Sequence, residues 1–408
     1  MTTTIVTIFV LVYLGMILGG LPFLQLDRTG VALLGAIALI GSDALSLEEA
    51  ALSIHLPTLI LLFSFMVVSA QMRMGGFYDW VTRRVAALPL APPGLLGALV
   101  FAVAALSAIF SNDVVCLAVA PVLIDTCRRR GLQPVPYLLA LACASNIGSA
   151  ATLIGNPQNM LIGETLHLPF GGYALEAATP VFAGLLLTWG GVVWQTRGVW
   201  ALPEGATEAA KGEPLDRWQT AKGLAVAAVL LLAFLFAPWP REVVALTGAG
   251  VLLMSRKFHS SKMLGLVDWE LLVLFMGLFV VNHALQKTGL PAQAVAEFAA
   301  LGVHLSEPAP LFGASFVLSN IVSNVPAVML LLPVAQHALA GPLLALVSTL
   351  AGNLFIVGSI ANIIVVDAAA RAGIGIDWRR HARIGVPLTL ATLAVTAGYL
   401  WLRTRALG

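Results

Sequence analysis

The chain has 408 residues, 59% of them hydrophobic and only 10% charged, with a mean hydropathy of +0.94 and a formal net charge of +2. Soluble domains carry about 25% charged residues, so a water-soluble globular fold is excluded, and long continuous apolar runs argue for membrane-spanning helices over a β-barrel. The small net charge gives no reason to expect a nucleic-acid partner, and Cys116, Cys127 and Cys143 lack the spacing of a disulfide framework or a zinc site.

In chain order, the run Ile5 to Leu18 follows an uncharged start without a basic n-region and reads as a retained span. Further spans are expected near 30–44 and 55–73. Phe77 to Leu88 is less apolar: Trp80, Val81 and Val85 can share a face while Arg83 and Arg84 turn to the headgroups, as in an interfacial helix. The apolar stretch 94–127 is interrupted by Ser111-Asn112-Asp113 and flanked by Arg73, Arg83 and Arg84 before it and Arg128, Arg129 and Arg130 after it. Basic residues prefer the cytoplasm, and each arm is shorter than the roughly 20 residues of a full span. The stretch therefore reads as a re-entrant hairpin with both ends cytoplasmic. A long segment at 134–165 follows, then a span at 173–195 and a polar cytoplasmic linker at 201–220.

The second half reads in the same order: spans near 221–237, 242–255 and 268–286, an interfacial segment at 291–303, a hairpin at 309–337 broken by Ser323-Asn324-Val325, and segments at 342–370 and 386–402. Arg28 to Ser42 (RTGVALLGAIALIGS) matches Arg241 to Ser255 (REVVALTGAGVLLMS) 213 residues on, the Ser-Asn motifs pair at 212, and Asn146 pairs with Asn353 at 207. The fold expected is all-α and polytopic, with two repeats (1–200 and 221–408) of five spans and one hairpin each. An odd number of spans inverts the second copy, which points to alternating access with the site between the repeats. Both termini are then expected outside the cell membrane.

Residues 144–159 (ASNIGSAATLIGNPQN) are the least helix-like part of any span: Gly148 and Gly155 add backbone freedom and Pro157 removes a donor. Unwinding there frees carbonyls suited to Na⁺ and exposes helix N-termini suited to an anion. Residues 351–362 form a counterpart without proline, expected to unwind less. Candidate substrate-binding residues are Ser111, Asn112, Asp113, Asn146, Thr152, Ser323, Asn324, Asn353 and Ser359; candidate coupling-ion residues are Asp113, Ser149, Gly155, Asn159 and Asn362. Asp113, a carboxylate at a hairpin tip, could ligate Na⁺, carry a proton or cap the second hairpin helix. Its counterpart is Val325. Asp367 can pair with Arg371 one turn on. Arg379, Arg380, His381 and Arg383 read as a cytoplasmic basic cluster, and His283, Gln286 and His337 as outer-interface residues.

The segments SNIGSAATLIGNPQN and SNIVSNVPAVMLLLP resemble the ion transporter superfamily, which includes arsenical pump membrane proteins, divalent anion/sodium symporters and sodium/proton antiporters. Asn112-Asp113 with Pro121, and Ser323-Asn324 with Pro326, look most like the arsenical pump and anion-permease branch. In the dicarboxylate symporters Ser-Asn-Thr tips hold carboxylates; here the third positions are Asp113 and Val325. The resemblance implies an elevator mechanism, a transport body sliding against a dimeric scaffold, and, if arsenical-pump-like, a separate ATPase subunit. No Walker motif, nucleophile–base set or metal-ligand cluster occurs in the chain, so an enzyme is not expected. The function expected is secondary active transport of a small inorganic or organic anion across the inner (plasma) membrane, coupled to Na⁺ or H⁺. Arsenite or antimonite efflux by proton antiport and Na⁺/H⁺ antiport are the alternatives.

Overall fold

The computed structural model describes residues 1–21, 25–201 and 214–407; most of the expected linker lies outside the described residues. Apart from a two-residue antiparallel pairing of Gly20–Leu21 with Leu26–Asp27, the regular elements are helices. The first half comprises α1 (Thr2–Leu18), α2 (Arg28–Gly41), α3 (Leu47–Ser53), α4 (Leu56–Met74), α5 (Phe77–Ala86), α6 (Pro92–Phe110), α7 (Asn112–Arg129), α8 (Pro134–Ser149), α9 (Pro157–Thr165) and α10 (Phe170–Gln195). The second comprises α11 (Arg217–Phe236), α12 (Arg241–Leu253), α13 (Ser260–Leu264), α14 (Trp269–Lys287), α15 (Leu290–Ala300), α16 (Pro308–Val322), α17 (Asn324–Leu331), α18 (Ala340–Ala351), α19 (Ile360–Arg371) and α20 (Trp378–Leu407). Six of these helices are long and apolar enough to cross a membrane. The protein is a multi-pass membrane protein.

The halves repeat one element order, and they pack reciprocally. α2 lies against α14 as α4 lies against α12, and α10 lies against α20. Local chemistry sets the same boundaries twice. Gly76 and Gly289 adopt left-handed φ values of 69° and 74° and turn the chain from α4 into α5 and from α14 into α15, a conformation glycine adopts without a Cβ penalty. Asp27, Asp216 and Asp268 cap α2, α11 and α14 through hydrogen bonds from Gly30 N, Gln219 N and Leu271 N, satisfying helix-end donors that lipid cannot.

α1, α2, α4, α11, α12 and α14 form one packed set; the hairpins, broken helices and α10 and α20 form another. α5 packs on α7 of the first hairpin. Its buried side chains are Phe77, Tyr78, Thr82 and Ala86, with Val81 and Val85 half-buried against the core and Trp80 exposed; Phe77 and Tyr78 meet Phe110 edge-on with centroids 6.1 and 6.0 Å away. α15, in contrast, buries none of its residues.

Candidate functional site

Each hairpin turns on one residue. Ser111 and Ser323 have φ values of 69° and 78°, strained for side chains with a Cβ. Each reverses the chain sharply and starts α7 or α17 at Asn112 or Asn324. Two further chain breaks face these tips, at 150–156 between α8 and α9 and at 352–359 between α18 and α19.

The second break is similar in length to the first and contains one 3-10 turn, Ile356–Gly358, where the first has no helical residue. One device makes both. Asn159 Nδ2 donates to the carbonyls of Ser149 (3.4 Å) and Thr152 (3.0 Å). Asn362 Nδ2 donates to the carbonyls of Gly352 (2.8 Å) and Phe355 (3.1 Å). The spacing between these matched residues is 203, so the true counterpart of Asn146 is Thr349, not Asn353, and Asn353 matches Ala150. Gly155 and Gly358 also match at this spacing. A Cβ on Gly155 would lie 2.1 Å from the Ser149 carbonyl oxygen, and one on Gly358 3.0 Å from that of Gly352. An amide that takes freed carbonyls, with a glycine that lets the strand fold back, opens the helix without proline.

The two breaks cross. Asn146 donates from Nδ2 to Asn353 Oδ1 (2.8 Å) and Asn362 Oδ1 (3.2 Å) and accepts at Oδ1 from Asn112 Nδ2 and Ser359 Oγ, both at 2.9 Å. Its counterpart Thr349 accepts from Asn156 Nδ2 (3.1 Å) and Gln158 Nε2 (3.2 Å) and donates to Asn159 Oδ1 (3.4 Å). Each half thus anchors the other half's break. Asn112 N donates to the Gly155 carbonyl at 3.2 Å, joining the first tip to the first break. The Asn324 amide lies 3.1 Å from where a Gly352 Cβ would sit, joining the second tip to the second break.

Among the sequence-derived candidates, Asn112, Asn146, Asn353, Ser359, Asn362, Ser149, Gly155 and Asn159 therefore sit in one connected cluster, with Asn324 against it. Ser149 Oγ donates to the Asn146 carbonyl (2.8 Å) and accepts from Asn156 Nδ2 (2.9 Å). Thr152 is turned to the hairpin instead, donating to the Ala108 carbonyl at 2.5 Å. Four buried polar atoms at the tips and second break lack a protein partner: Asn112 Oδ1, Asp113 Oδ1, Asn324 Oδ1 and Asn353 Nδ2. Unpartnered polar atoms at membrane depth are costly unless a solute, ion or water meets them. Four helix N-termini, of α7, α9, α17 and α19, begin around the cluster, where the backbone favours negative charge. Cys116 is fully buried with Sγ 3.0 Å from Ser145 Oγ.

Residues that composition alone did not single out complete the site. Tyr173 OH donates to the Ala150 carbonyl (2.7 Å) and accepts from Asn159 Nδ2 (3.1 Å). In the other half His381 Nε2 donates to the Asn353 carbonyl at 3.1 Å and is 1% exposed, so it belongs to the break, not to the basic cluster around it. A Cβ on Gly385 would lie 2.4 Å from that same carbonyl, which lets α20 approach so closely. Asn156, Gln158 and Thr349 were hidden in sequence because their partners are about 190 residues away.

A family profile described as citrate transporter (CitMHS) matches residues 13–351. The chain belongs to this family. The chain is 30% identical, over 99% of both chains, to the uncharacterized transporter Rv2684 of Mycobacterium tuberculosis. It is 30% identical to the silicon efflux transporter LSI3 of Oryza sativa over 92% of each chain, and 32% identical to the inner membrane protein YbiR of Escherichia coli over 85% of this chain and 87% of that one. The crystal structure of the Alcanivorax borkumensis YdaH transporter, described as having an unusual topology, superposes with a TM-score of 0.55 at 17% identity, covering 99% of this chain and 98% of that one. At that identity the likeness concerns the fold. The protein is a membrane transporter of the citrate transporter and anion-permease kind.

The two hairpins sit at different depths against α4 and α14. Gly76 and Gly289 align these helices at a spacing of 213, which matches Ser69 to Asn282. Ser69 Oγ donates to the carbonyl of Phe110, at the very tip of the first hairpin, at 2.7 Å. Asn282 Nδ2 instead lies 3.6 Å from Met329 Sδ, six residues past Ser323. Phe110 lies one residue from its tip and Met329 six from its own, and at 1.5 Å per residue that difference is about 7.5 Å of helix.

Proposed function

We propose that this protein is a secondary active transporter for a small anion or oxyanion, driven by a Na⁺ or H⁺ gradient, with the solute held between the two hairpin tips and the crossed helix breaks. The observation that carries this reading is the set of unpartnered buried atoms at Asn112, Asp113, Asn324 and Asn353, ringed by four helix N-termini. The helix N-termini and Asn353 Nδ2 offer donors to negative charge without a cationic side chain, while Asn112 Oδ1, Asp113 Oδ1 and Asn324 Oδ1 are acceptors suited to a coupling cation or a solute hydroxyl. Asp113 is the carboxylate in the cluster and the candidate for coupling, as a proton carrier or a Na⁺ ligand. The unequal hairpin depths support an elevator-like movement, in which the hairpins and broken helices slide as a body along α2, α4, α12 and α14. The basic loops support an orientation with the Arg28 face at the cytoplasm and both termini outside.

A second reading has its own support. The tips and breaks offer amides and hydroxyls rather than Arg or Lys, which also suits a neutral hydroxylated oxyacid, and one relative is named a silicon efflux transporter. Efflux of such a solute, arsenite included, by exchange with protons is the alternative.

Reconstituted protein with imposed Na⁺ or pH gradients tests both, using citrate, succinate, sulfate, silicic acid and arsenite as substrates. Gradient-driven movement of one substrate class is expected, and D113N should uncouple it from the ion gradient. Substrate movement that needs no gradient and carries channel-like currents would refute coupled transport. D113N with full coupling would remove Asp113 from that role.

A further inference from the structure

Glu164 and Arg241 form an ion pair, Arg241 Nε to Glu164 Oε1 at 3.0 Å, and Arg241 Nη2 also donates to the Gly163 carbonyl at 2.9 Å. The Arg241 and Glu164 side chains are only 16% and 10% exposed. Glu164 lies at the end of α9, in the hairpin-bearing set, and Arg241 at the start of α12, in the other set. The pair therefore fastens one body to the other.

Each member has a counterpart in the opposite half. Arg28 matches Arg241 at the spacing of 213 that governs α2 and α12. Asp367 matches Glu164 at the spacing of 203 that governs the broken helices. Both counterparts occupy the same face of the protein. Thr29 Oγ1 donates to the Glu270 carbonyl at 3.4 Å, which sets the start of α2 beside the start of α14. Arg128 Nη2 donates to the Ala372 carbonyl at 2.5 Å, which sets the end of α19 beside the base of the first hairpin. Lys257 pairs with Asp216 at that end, linking the loop before α14 to the start of α11, which Gln71 of α4 in turn contacts through Gln219.

Yet this second pair is not made. Among the described residues no carboxylate is within ion-pair distance of Arg28, and Asp367 holds only Arg371 of its own helix, with side chains 53% and 80% exposed. The packing is unequal in the same sense: α9 lies against α4, whereas α19 has no comparable contact with α14. Together with the shallow first hairpin and the deep second one, this is what a displacement of the hairpin-bearing body toward the Arg28 face produces. Asp367 is then pushed out past Arg28, while Glu164 is drawn level with Arg241.

We propose that Arg28 and Asp367 are the mirror-image latch of Arg241 and Glu164: when the hairpin-bearing body moves to the opposite face, Glu164 leaves Arg241, and Arg28 takes Asp367 and the Val366 carbonyl. In an inverted repeat the second state is the first with the halves exchanged, so contacts made by one half become those of the other. Asp367 gives up only an exposed one-turn pair, which is weak. The travel between the two states is set by the hairpin offset, about 7.5 Å. The proposal rests on the alternating-access reading above.

The test uses full-length protein in membranes with Cys116, Cys127 and Cys143 replaced by serine or alanine. R28C and D367C are introduced together, and separately E164C with R241C. Oxidative cross-linking is expected in both pairs, and adding R241Q to the first pair should raise its cross-linked fraction about tenfold, because the competing latch is gone. In the background without R28C or D367C, S111C is labelled by impermeant thiol reagents from each side to report alternation independently. Alternating access at S111C with no cross-link between R28C and D367C, with or without R241Q, overturns the latch alone. Access from one side only, under all gradients and substrates, overturns the latch and the transport reading together. Should R241Q fold poorly, E164Q serves instead, and the charge swap R28E with D367R should recover transport lost in R28E.

Discussion

Replacing Asn146 with alanine removes the side chain that joins the first hairpin tip to both breaks. Four hydrogen bonds go, to Asn112, Ser359, Asn353 and Asn362. Side-chain bonds inside membrane proteins average about 0.6 kcal/mol each, and typical protein bonds about 1 kcal/mol, so the loss is roughly 2.5–4 kcal/mol. The partners do not recover equally. Asn353 has a free Nδ2 and can rearrange, but Asn362 Nδ2 already holds the Gly352 and Phe355 carbonyls, so its Oδ1 stays bare. The native cysteines are all buried, so a thiol-reactive fluorophore reads unfolding directly during thermal or denaturant titration. N146A should lower stability by the stated amount and reduce transport at least tenfold. A stability change under about 0.5 kcal/mol with transport within twofold of the parent would refute the claim that this cluster locks the breaks together.

Other substitutions probe separate parts of the same argument. G155A places a Cβ 2.1 Å from the Ser149 carbonyl oxygen and should destabilise by more than about 2 kcal/mol, measured by the same thiol assay; G313A, where nothing lies within 4 Å of the added atom, is the control and should be near neutral. Y173F removes one donor to the Ala150 carbonyl and one acceptor for Asn159 and should cost about 1 kcal/mol. H381F leaves the Asn353 carbonyl without its donor in a site too tight for a larger ring, as the Gly385 contact shows, and should cost more than Y173F; equal effects would show that the close approach of α20 adds nothing to the cost. S69A removes the bond between α4 and Phe110 and should alter the distribution of S111C labelling between the two faces more than it alters thermal stability.

Much of the architecture is written in local sequence. Helical spans are recoverable because lipid demands long apolar runs, and the hairpin tips at Ser111 and Ser323 because a polar Ser-Asn pair interrupts such a run. The break near Gly155 shows itself through glycine and proline. The opening near Gly358 depends on Asn362 reaching back to two carbonyls, a contact that leaves no trace in helix propensity. The pairing of Asn146 with Asn353 in sequence was one letter matched to the same letter; in space the match is to Thr349, because the spacing between the halves falls from 213 in α2 and α12 to 203 in the broken helices.

The amino-acid sequence by itself determined that the chain enters a membrane, that its halves resemble one another, and where the hairpin tips fall, since hydropathy, basic flanks and polar interruptions act within a few residues. Only the tertiary structure decided what those breaks do. Asn146 with Asn362, Asn156 with Thr349, and Glu164 with Arg241 are partners because the halves cross, bringing together side chains 77 to 216 residues apart. Polar groups at membrane depth must find one another or a solute, and which of them remain free, at Asn112, Asp113, Asn324 and Asn353, is a property of that crossing and of no single segment.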